Sequence, residues 1–417
     1  MLSNTKTRIA ILLLTIQPAV YAANLRAPIG FTTANVLPFH VRNIQFNEIG
    51  AQVNNKFSND GDVVGLGNSF NKSLTWQDLI ENEADPVKRG DYIGYLNSRG
   101  TSLGENVGET TGVVNVATNA QVYALAFGLN ENTTLALAVP VAQIELNTNT
   151  ASIAGAGLNK VASDLANEGK LDDANELRTK YMNAIQKKLS DNNYKELKNE
   201  KSTKLGDVRL IGKHLLETNA DYSLALTEEI SFPTGVQKDI NKLVDVPTSD
   251  GAYNVAAGFI FDYQLSSDFS TSFLAKYTAQ LPDTHEERVP YKSDSKITPD
   301  IDSGVKRNRG DISEFSLGLN YSVTDWLIPK LALGFQYKDK DSFSGSKYEN
   351  WRYDLLSLET TQRLVSYQFG VEASTVKLYK QQKFVAPLSA TLCVSGVSSG
   401  KNVNKDPLYT LNISLFL

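Results

Sequence analysis

The chain has 417 residues, of which 41% are hydrophobic and 21% charged, with a net charge of -5 and a single cysteine, Cys393. A negative balance without a basic stripe argues against a nucleic-acid partner, and one cysteine excludes an internal disulfide framework or a cysteine-based metal cluster. The mean hydropathy of -0.26 resembles that of a soluble protein. It does not exclude a membrane barrel, whose strands are apolar only at every second residue.

The chain opens on Lys6 and Arg8, an apolar stretch over residues 9–16, and Val20-Tyr21-Ala22. That order reads as a secretory signal peptide over residues 1–22, too short for a spanning helix of about 20 apolar residues. Residues 23–41, with Pro28, Gly30 and Pro38, have no period. They read equally as a periplasmic lead-in and as a small plug in the lumen of the domain formed by residues 42–417.

From residue 42 onward the pattern is strand-like. Twelve strands are expected, beginning near Asn43, Val114, Thr133, Asp207, Tyr222, Ala252, Asp268, Ile312, Ile328, Thr361, Lys383 and Leu408. Tyr253, Val255, Ala257, Phe259, Phe261 and Tyr263 alternate with polar or small residues, as do Phe269, Thr271, Phe273, Ala275 and Tyr277. Such alternation places the two sets on opposite faces of a sheet. The strands reach the roughly 9–11 residues that a tilted membrane strand needs, where soluble strands average nearer 5–6. Short connections (residues 130–132, 218–221, 266–267 and 324–326, with a longer one at 374–382) alternate with long ones, the largest over residues 57–112 and 147–206. An even strand number, short periplasmic turns and long outer loops define an antiparallel up-and-down transmembrane β-barrel of 12–14 strands, with both termini in the periplasm. The barrel is therefore assigned to residues 42–417, with extracellular insertions at 57–112 and 147–206. Helices are expected inside those insertions, over residues 171–189 and within 74–97, where Pro86 should divide or bound the second. Tyr222, Tyr263, Phe269, Tyr321 and Trp326 gather beside the short turns, as an interfacial aromatic belt does.

The last strand carries Tyr409, Leu411, Ile413, Leu415 and Leu417 on one face, with Phe416 out of step. A strand ending on an apolar residue resembles the C-terminal signature of bacterial outer-membrane barrels, through which the barrel-assembly machinery would receive the chain. If the aromatic face meets lipid, Asp207, Arg209, Lys213, Glu229, Asp262, Lys276, Glu314 and Glu372 face the lumen. Arg209 should fall almost opposite Glu229, bracing the wall, and the mixture of signs differs from the single-sign rings of ion-selective pores. Pro140 and Pro387 sit inside expected strands, and a proline there implies a wall kink, a bulge or a strand end.

The segment GDVRLIGKHLLETNADYSLALTEEISFPTG, residues 206–235, resembles the outer-membrane channel family labelled "MetA-pathway of phenol degradation", as does AFGLNENTTLALAVPV, residues 126–141. The points of likeness are the turn at 128–132, Val139-Pro140, Gly206-Asp207 and the Phe232–Gly235 end. That family is related to the fatty-acid and aromatic-hydrocarbon transporters of the outer membrane. The resemblance implies passive passage of small hydrophobic molecules through a plugged barrel with an opening in its wall near Pro140.

The expected function is thus an outer-membrane channel for small hydrophobic or aromatic solutes, with outer-membrane lipid as its surroundings and no cofactor. The alternatives are an adhesin or receptor acting through the large loops, and an outer-membrane hydrolase. A hydrolase needs a nucleophile beside a base. Only His40, His214 and His285 are available, and none stands in a Ser/His motif.

Overall fold

The computed structural model describes residues 31–81, 86–293 and 297–417. The expected signal peptide and the first part of the 23–41 segment lie outside the described residues.

Twelve strands form a closed wall: β1 (Arg42–Val53), β2 (Asn106–Asn130), β3 (Thr133–Ala154), β4 (Val208–Thr218), β5 (Tyr222–Phe232), β6 (Asn254–Gln264), β7 (Phe269–Gln280), β8 (Ile312–Tyr321), β9 (Leu327–Lys338), β10 (Gln362–Ser374), β11 (Leu388–Lys401) and β12 (Leu408–Phe416). Each pairs antiparallel with its neighbours in chain order. β1 closes on β12 from Asn43↔Phe416 to Ala51↔Leu408. At the seam the Arg42 and Leu417 amides each donate to the other's carbonyl, at 2.9 and 2.8 Å. Closure leaves no sheet edge, which satisfies the backbone inside a membrane. Phe416, out of step in sequence, shares a level and a face with Asn43, which is buried inside the wall.

Ten strands start within two residues of their expected positions. β2 starts eight residues early because its ladder with β3 runs unbroken from Gly108↔Ala154 down to Gly128↔Thr134, well beyond the membrane. Two short strands, Lys72–Thr75 and Glu200–Leu205, dock on the edges of this overhang, against β2 and β3 respectively. β11 starts at Leu388 and not near Lys383, because a short helix, Val376–Lys380, and a turn occupy the connection.

Along the strands the faces separate as alternation requires. Val255, Phe259, Phe261, Phe273, Leu317, Leu333, Phe369 and Leu392 are exposed on the outside, while Ile260, Leu274, Ser366, Gln368 and Ser395 are buried inside. An apolar outside around a partly polar inside inverts the soluble pattern and fits only a barrel with lipid around it. Tyr263, Tyr321 and Trp326 are exposed next to the short turns, at the level where a lower aromatic belt belongs.

The long connections build a folded cap. Helices α1 (Trp76–Glu81), α2 (Pro86–Ser98), α3 (Ala156–Asn167), α4 (Leu171–Met182) and α5 (Ala184–Asp191) belong to the first two insertions. Pro86 opens α2, the position where its missing N–H costs nothing. The second insertion holds two helices more than expected: the one expected over 171–189 is divided at Asn183 into α4 and α5, and α3 precedes them. Leu158, Val161, Leu165, Leu177, Tyr181, Ile185 and Leu189 from its helices join Phe70, Leu74, Trp76 and Leu79 in one buried cluster. That cluster also contains Val53, Val114, Val116, Ile144 and Leu146. The last four are inward-facing on the upper β2–β3 hairpin, so the helices lie against its inner face, over the extracellular mouth. A small sheet, Asp283–Arg288 with Ile301–Asn308 and Ser342–Ser344, completes the cap.

Candidate functional site, the barrel lumen

The lumen is built from the inward residues of all twelve strands. Three pairs of opposite charge lie across neighbouring strands. Lys276 on β7 meets Glu314 on β8 at 3.3 Å, Lys330 on β9 meets Glu372 on β10 at 2.5 Å, and Arg209 on β4 meets Glu229 on β5 at 3.5 Å. Lys276 and Glu314 are directly opposite in the ladder. Arg209 is not opposite Glu229: it pairs with Ser231, and Ile211 takes the place opposite Glu229. The hairpin closes at Thr218↔Ser223 and the bulge at Leu215/Glu217 changes the register by one residue, so the pair reaches diagonally. Lys330 is a lumen residue outside the expected set, although it continues the inward alternation of Gln336, Gly334 and Ala332.

Asp207 stands just before β4, at the extracellular rim. Its Oδ1 accepts from the Gly235 amide at 3.0 Å, which fastens the next loop.

Lys213 and Asp262 hold a different partner. The segment 31–41 turns in at the periplasmic end and crosses the lumen. The Pro38 and Leu37 carbonyls press on Gly128, where a Cβ would lie 2.0 and 2.7 Å from their oxygens. The Leu37 amide donates to Thr134 Oγ1 at 2.7 Å. The Lys213 ammonium donates to the carbonyls of Thr33 and Asn35 at 2.7 and 3.2 Å, and Asp262 Oδ2 accepts from the Ala34 amide at 2.8 Å. Ala34 is fully buried against Ala225, Ile260 and Leu274. Phe31 reaches the far wall, with the Lys330 ammonium 5.3 Å from its ring centre and its Cε2 2.7 Å from a Cβ built on Gly370. The segment thus touches β2 to β7 and, across the lumen, β9 and β10. Its anchors, Gly128, Thr134 and Gly370, carry no sequence signal of their own.

The two sides of the lumen differ. On β2 and β3 the inward residues from Val114 to Ala126 and from Thr134 to Leu146 are apolar except for the hydroxyls of Thr118 and Thr134. Beyond β1, β12, β11 and β10 present the neutral Thr410, Asn412, Ser395, Thr391, Gln368 and Ser366, beside the paired Glu372.

Pro140 sits where β3 changes partner. Below it β3 pairs with β4, as Ala138↔Arg209. Above it β3 pairs with the strand Glu200–Leu205, as Val141↔Leu205. Residues 206–208 fall out of register between them, and the Gly206 amide donates to the Pro140 carbonyl at 2.8 Å. The proline therefore coincides with a bulge that supplies the compensation a missing N–H demands. Pro387 lies one residue before β11, outside the ladder, and produces no kink in the wall; its carbonyl accepts from the Phe416 amide at 3.1 Å.

The histidines are scattered. His40 precedes β1, His214 Nδ1 lies 2.7 Å from Thr133 Oγ1 on the outer face, and His285 is in the cap, 3.5 Å from Glu287. Burial alone would raise the Glu287 carboxyl; the Lys238 charge, 3.3 Å away, and His285 reverse this and hold it down at about 2. Next to it Arg288 is a clasp. Its guanidinium donates to the carbonyls of Asn192, Asn193, Ile240 and Thr298 and to Asn241 Oδ1, at 2.7–3.0 Å, and lies 3.9 Å over the Tyr194 ring.

Fold and lumen together define a membrane-spanning, twelve-stranded antiparallel β-barrel. No protein-family model matches the chain, and no curated protein matches it. Among solved structures it is similar to the COG4313 outer membrane channel from Pseudomonas putida F1, with a TM-score of 0.54 and 10% identity over 94% of this chain and 100% of that one. Weaker likenesses include the Ralstonia pickettii toluene transporter TbuX, TM-score 0.35 and 9% identity over 91% and 90% of the two chains. The CymD monoaromatic hydrocarbon channel gives a TM-score of 0.33 and 11% identity over 91% and 88%. At these identities the first likeness speaks for the fold, and the other two carry no argument.

Proposed function

We propose that the protein is an outer-membrane channel for passive uptake of small, uncharged, predominantly hydrophobic solutes, and that residues 31–37 act as its plug. The observation that carries this reading is the lumen itself. Its strongest charges are matched in pairs, Lys276–Glu314, Lys330–Glu372 and Arg209–Glu229, and the remaining Lys213 and Asp262 are engaged by the crossing segment. An ion therefore meets no ring of one sign to replace its hydration, whereas the β2–β3 inner wall offers a mostly apolar track, broken by the Thr118 and Thr134 hydroxyls. The paired residues brace the wall, and Lys213 and Asp262 position the plug. Nothing in this reading asks for catalysis, metal or cofactor. The test is reconstitution into liposomes and planar bilayers, comparing uptake of neutral apolar solutes with sugars and ions of similar size. Preferential apolar uptake is expected. A barrel that passes none of them favours a receptor or adhesin working through the cap.

A further inference from the structure

The apolar band on the outside of the barrel does not have the same height all round. On β6 the outward residues from Leu265 up to Tyr253 are Leu265, Tyr263, Phe261, Phe259, Ala257, Val255 and Tyr253, without a polar member. Twelve residue steps at 3.4 Å with a tilt near 40° give roughly 30 Å, a full hydrocarbon thickness. On β2 the outward residues are Leu129, Phe127, Leu125 and Tyr123, and then Gln121, Asn119 and Asn115. The apolar part covers six steps, roughly 15 Å.

The orientation of these residues is fixed by their ladder. Val114, Val116 and Ala126, of the opposite parity, are buried inside, and β2 pairs without a register shift from Gly108 to Gly128. Their level is fixed by counting from the periplasmic ends. Gln121 and Asn119 stand nine and eleven residues above Asn130, as Val255 and Tyr253 stand above Gln264. The neighbours of β2 repeat the break. On β1, Ile44 and Phe46 are followed outward by Glu48, opposite Gln121, and by Gln52. On β3, Val141 is followed by Gln143 and Glu145. Glu48 Oε1 accepts from Asn119 Nδ2 at 3.1 Å, and Gln121 Oε1 accepts from the Tyr123 hydroxyl at 2.8 Å. The two contacts link these side chains into a polar patch on the outer face and do not turn them inward.

Full-thickness hydrocarbon against a carboxylate and several amides is costly, since polar groups lose their water there. Local thinning of a bilayer costs only fractions of a kcal/mol per Å. We propose that the outer leaflet is locally thinned along β1–β3, so that lipid headgroups and water descend to the level of Glu48 and Gln121. The partner of this surface is a headgroup rich in hydroxyl or ammonium donors, which matches a carboxylate flanked by amides. The membrane around this barrel is then lopsided, about half as thick on one flank as on the other.

Site-directed spin labelling in liposomes tests this directly. In a Cys393→Ala background, labels are placed by Gln121→Cys and, at the same level on the other flank, by Val255→Cys. The Gln121 label should collide several-fold more with a water-soluble nickel chelate than the Val255 label, and less with oxygen. Equal, oxygen-rich and nickel-poor behaviour at both positions would mean full-thickness lipid and overturn the proposal. Protection of the Gln121 label from both reagents would also overturn it, by showing that a second copy or another protein covers the face. An independent arm needs no cysteine change: Glu48→Leu/Asn119→Leu/Gln121→Leu should move the acyl-chain length of greatest thermal stability upward by two or more carbons. An unchanged optimum refutes the thinning.

Discussion

Replacing Lys213 by Met and Asp262 by Asn together should release the segment that crosses the lumen. The wild-type residues make three hydrogen bonds to it, from Lys213 to the Thr33 and Asn35 carbonyls and from the Ala34 amide to Asp262. Hydrogen bonds to charged groups contribute about 1.5–3 kcal/mol each, so the double replacement removes roughly 4–9 kcal/mol. Against this stands the backbone entropy regained on release, about 1–2 kcal/mol for each of the residues from Phe31 to Leu37, or roughly 7–14 kcal/mol in all. The contacts that remain are the Leu37–Thr134 hydrogen bond, the burial of Ala34 and the packing of Phe31. They do not outweigh that entropy, so the detached state should dominate in the double variant. Single-channel recording in planar bilayers should show a severalfold rise in conductance, with the single replacements intermediate. If conductance is unchanged while a thiol reagent reaches an Ala34→Cys site no faster than before, the energetic reasoning is wrong. If the thiol is reached and conductance is still unchanged, the segment detaches but is not what limits flow.

Three further outcomes are expected. Gly128→Ala places a methyl 2.0 Å from the Pro38 carbonyl oxygen, so it should raise conductance as the double variant does while leaving heat-modifiable folding intact; unchanged conductance would mean the segment is not held there. Arg288→Ala leaves four cap carbonyls without their donor, a loss of at least about 3 kcal/mol, and should expose residues 190–200 to external protease on intact cells; equal resistance to wild type would deny the clasp its role. Glu287 has a folded pKa of about 2 against an ordinary 4.5, so its contribution, up to about 3 kcal/mol, is complete above pH 4.5 and is lost as pH falls through 2. Hydrogen exchange in the cap should therefore quicken between those values in wild type and show no such transition in Glu287→Gln.

Much of the wall is legible in the sequence because the physics of a membrane strand writes itself residue by residue. Alternation from Tyr253 to Tyr263 and from Phe269 to Tyr277 marks strands, and short turns against long loops set the topology. What alternation does not encode is register, and a hairpin that closes at Thr218↔Ser223 leaves Arg209 opposite Ser231, two residues from Glu229. Strand ends are also blurred. β2 overruns its expected start because Val107–Val113 pairs with β3 above the membrane, and the loop before β11 hides a helical turn. Helix α3 carries a readable stripe in Leu158, Val161, Ala162 and Leu165, at helical spacing, but the stronger stripe after Leu171 overshadows it. For residues 31–37 the sequence leaves a lumen plug and a periplasmic lead-in equally open. That segment has no period, and its anchors are a carboxylate, an ammonium and two glycines contributed by strands far away in sequence. The asymmetric outer belt is present in Glu48, Asn119 and Gln121, but only register shows that they share one flank.

The seam between β1 and β12 also governs how the molecule is made. Asn43 meets Phe416 and Ala51 meets Leu408, residues far apart along the chain. Closing a loop of about 370 residues costs roughly 5 kcal/mol of chain entropy, and the cost falls before any of the seam's hydrogen bonds form. No fragment lacking β1 or β12 can complete the ladder, so the chain has to be kept from collapsing on itself until β12 is available. Leu417, bonded at both its amide and its carbonyl to Arg42, is then the last tooth of the zip. Removing that single residue should slow barrel assembly far more than it lowers the stability of barrels already formed.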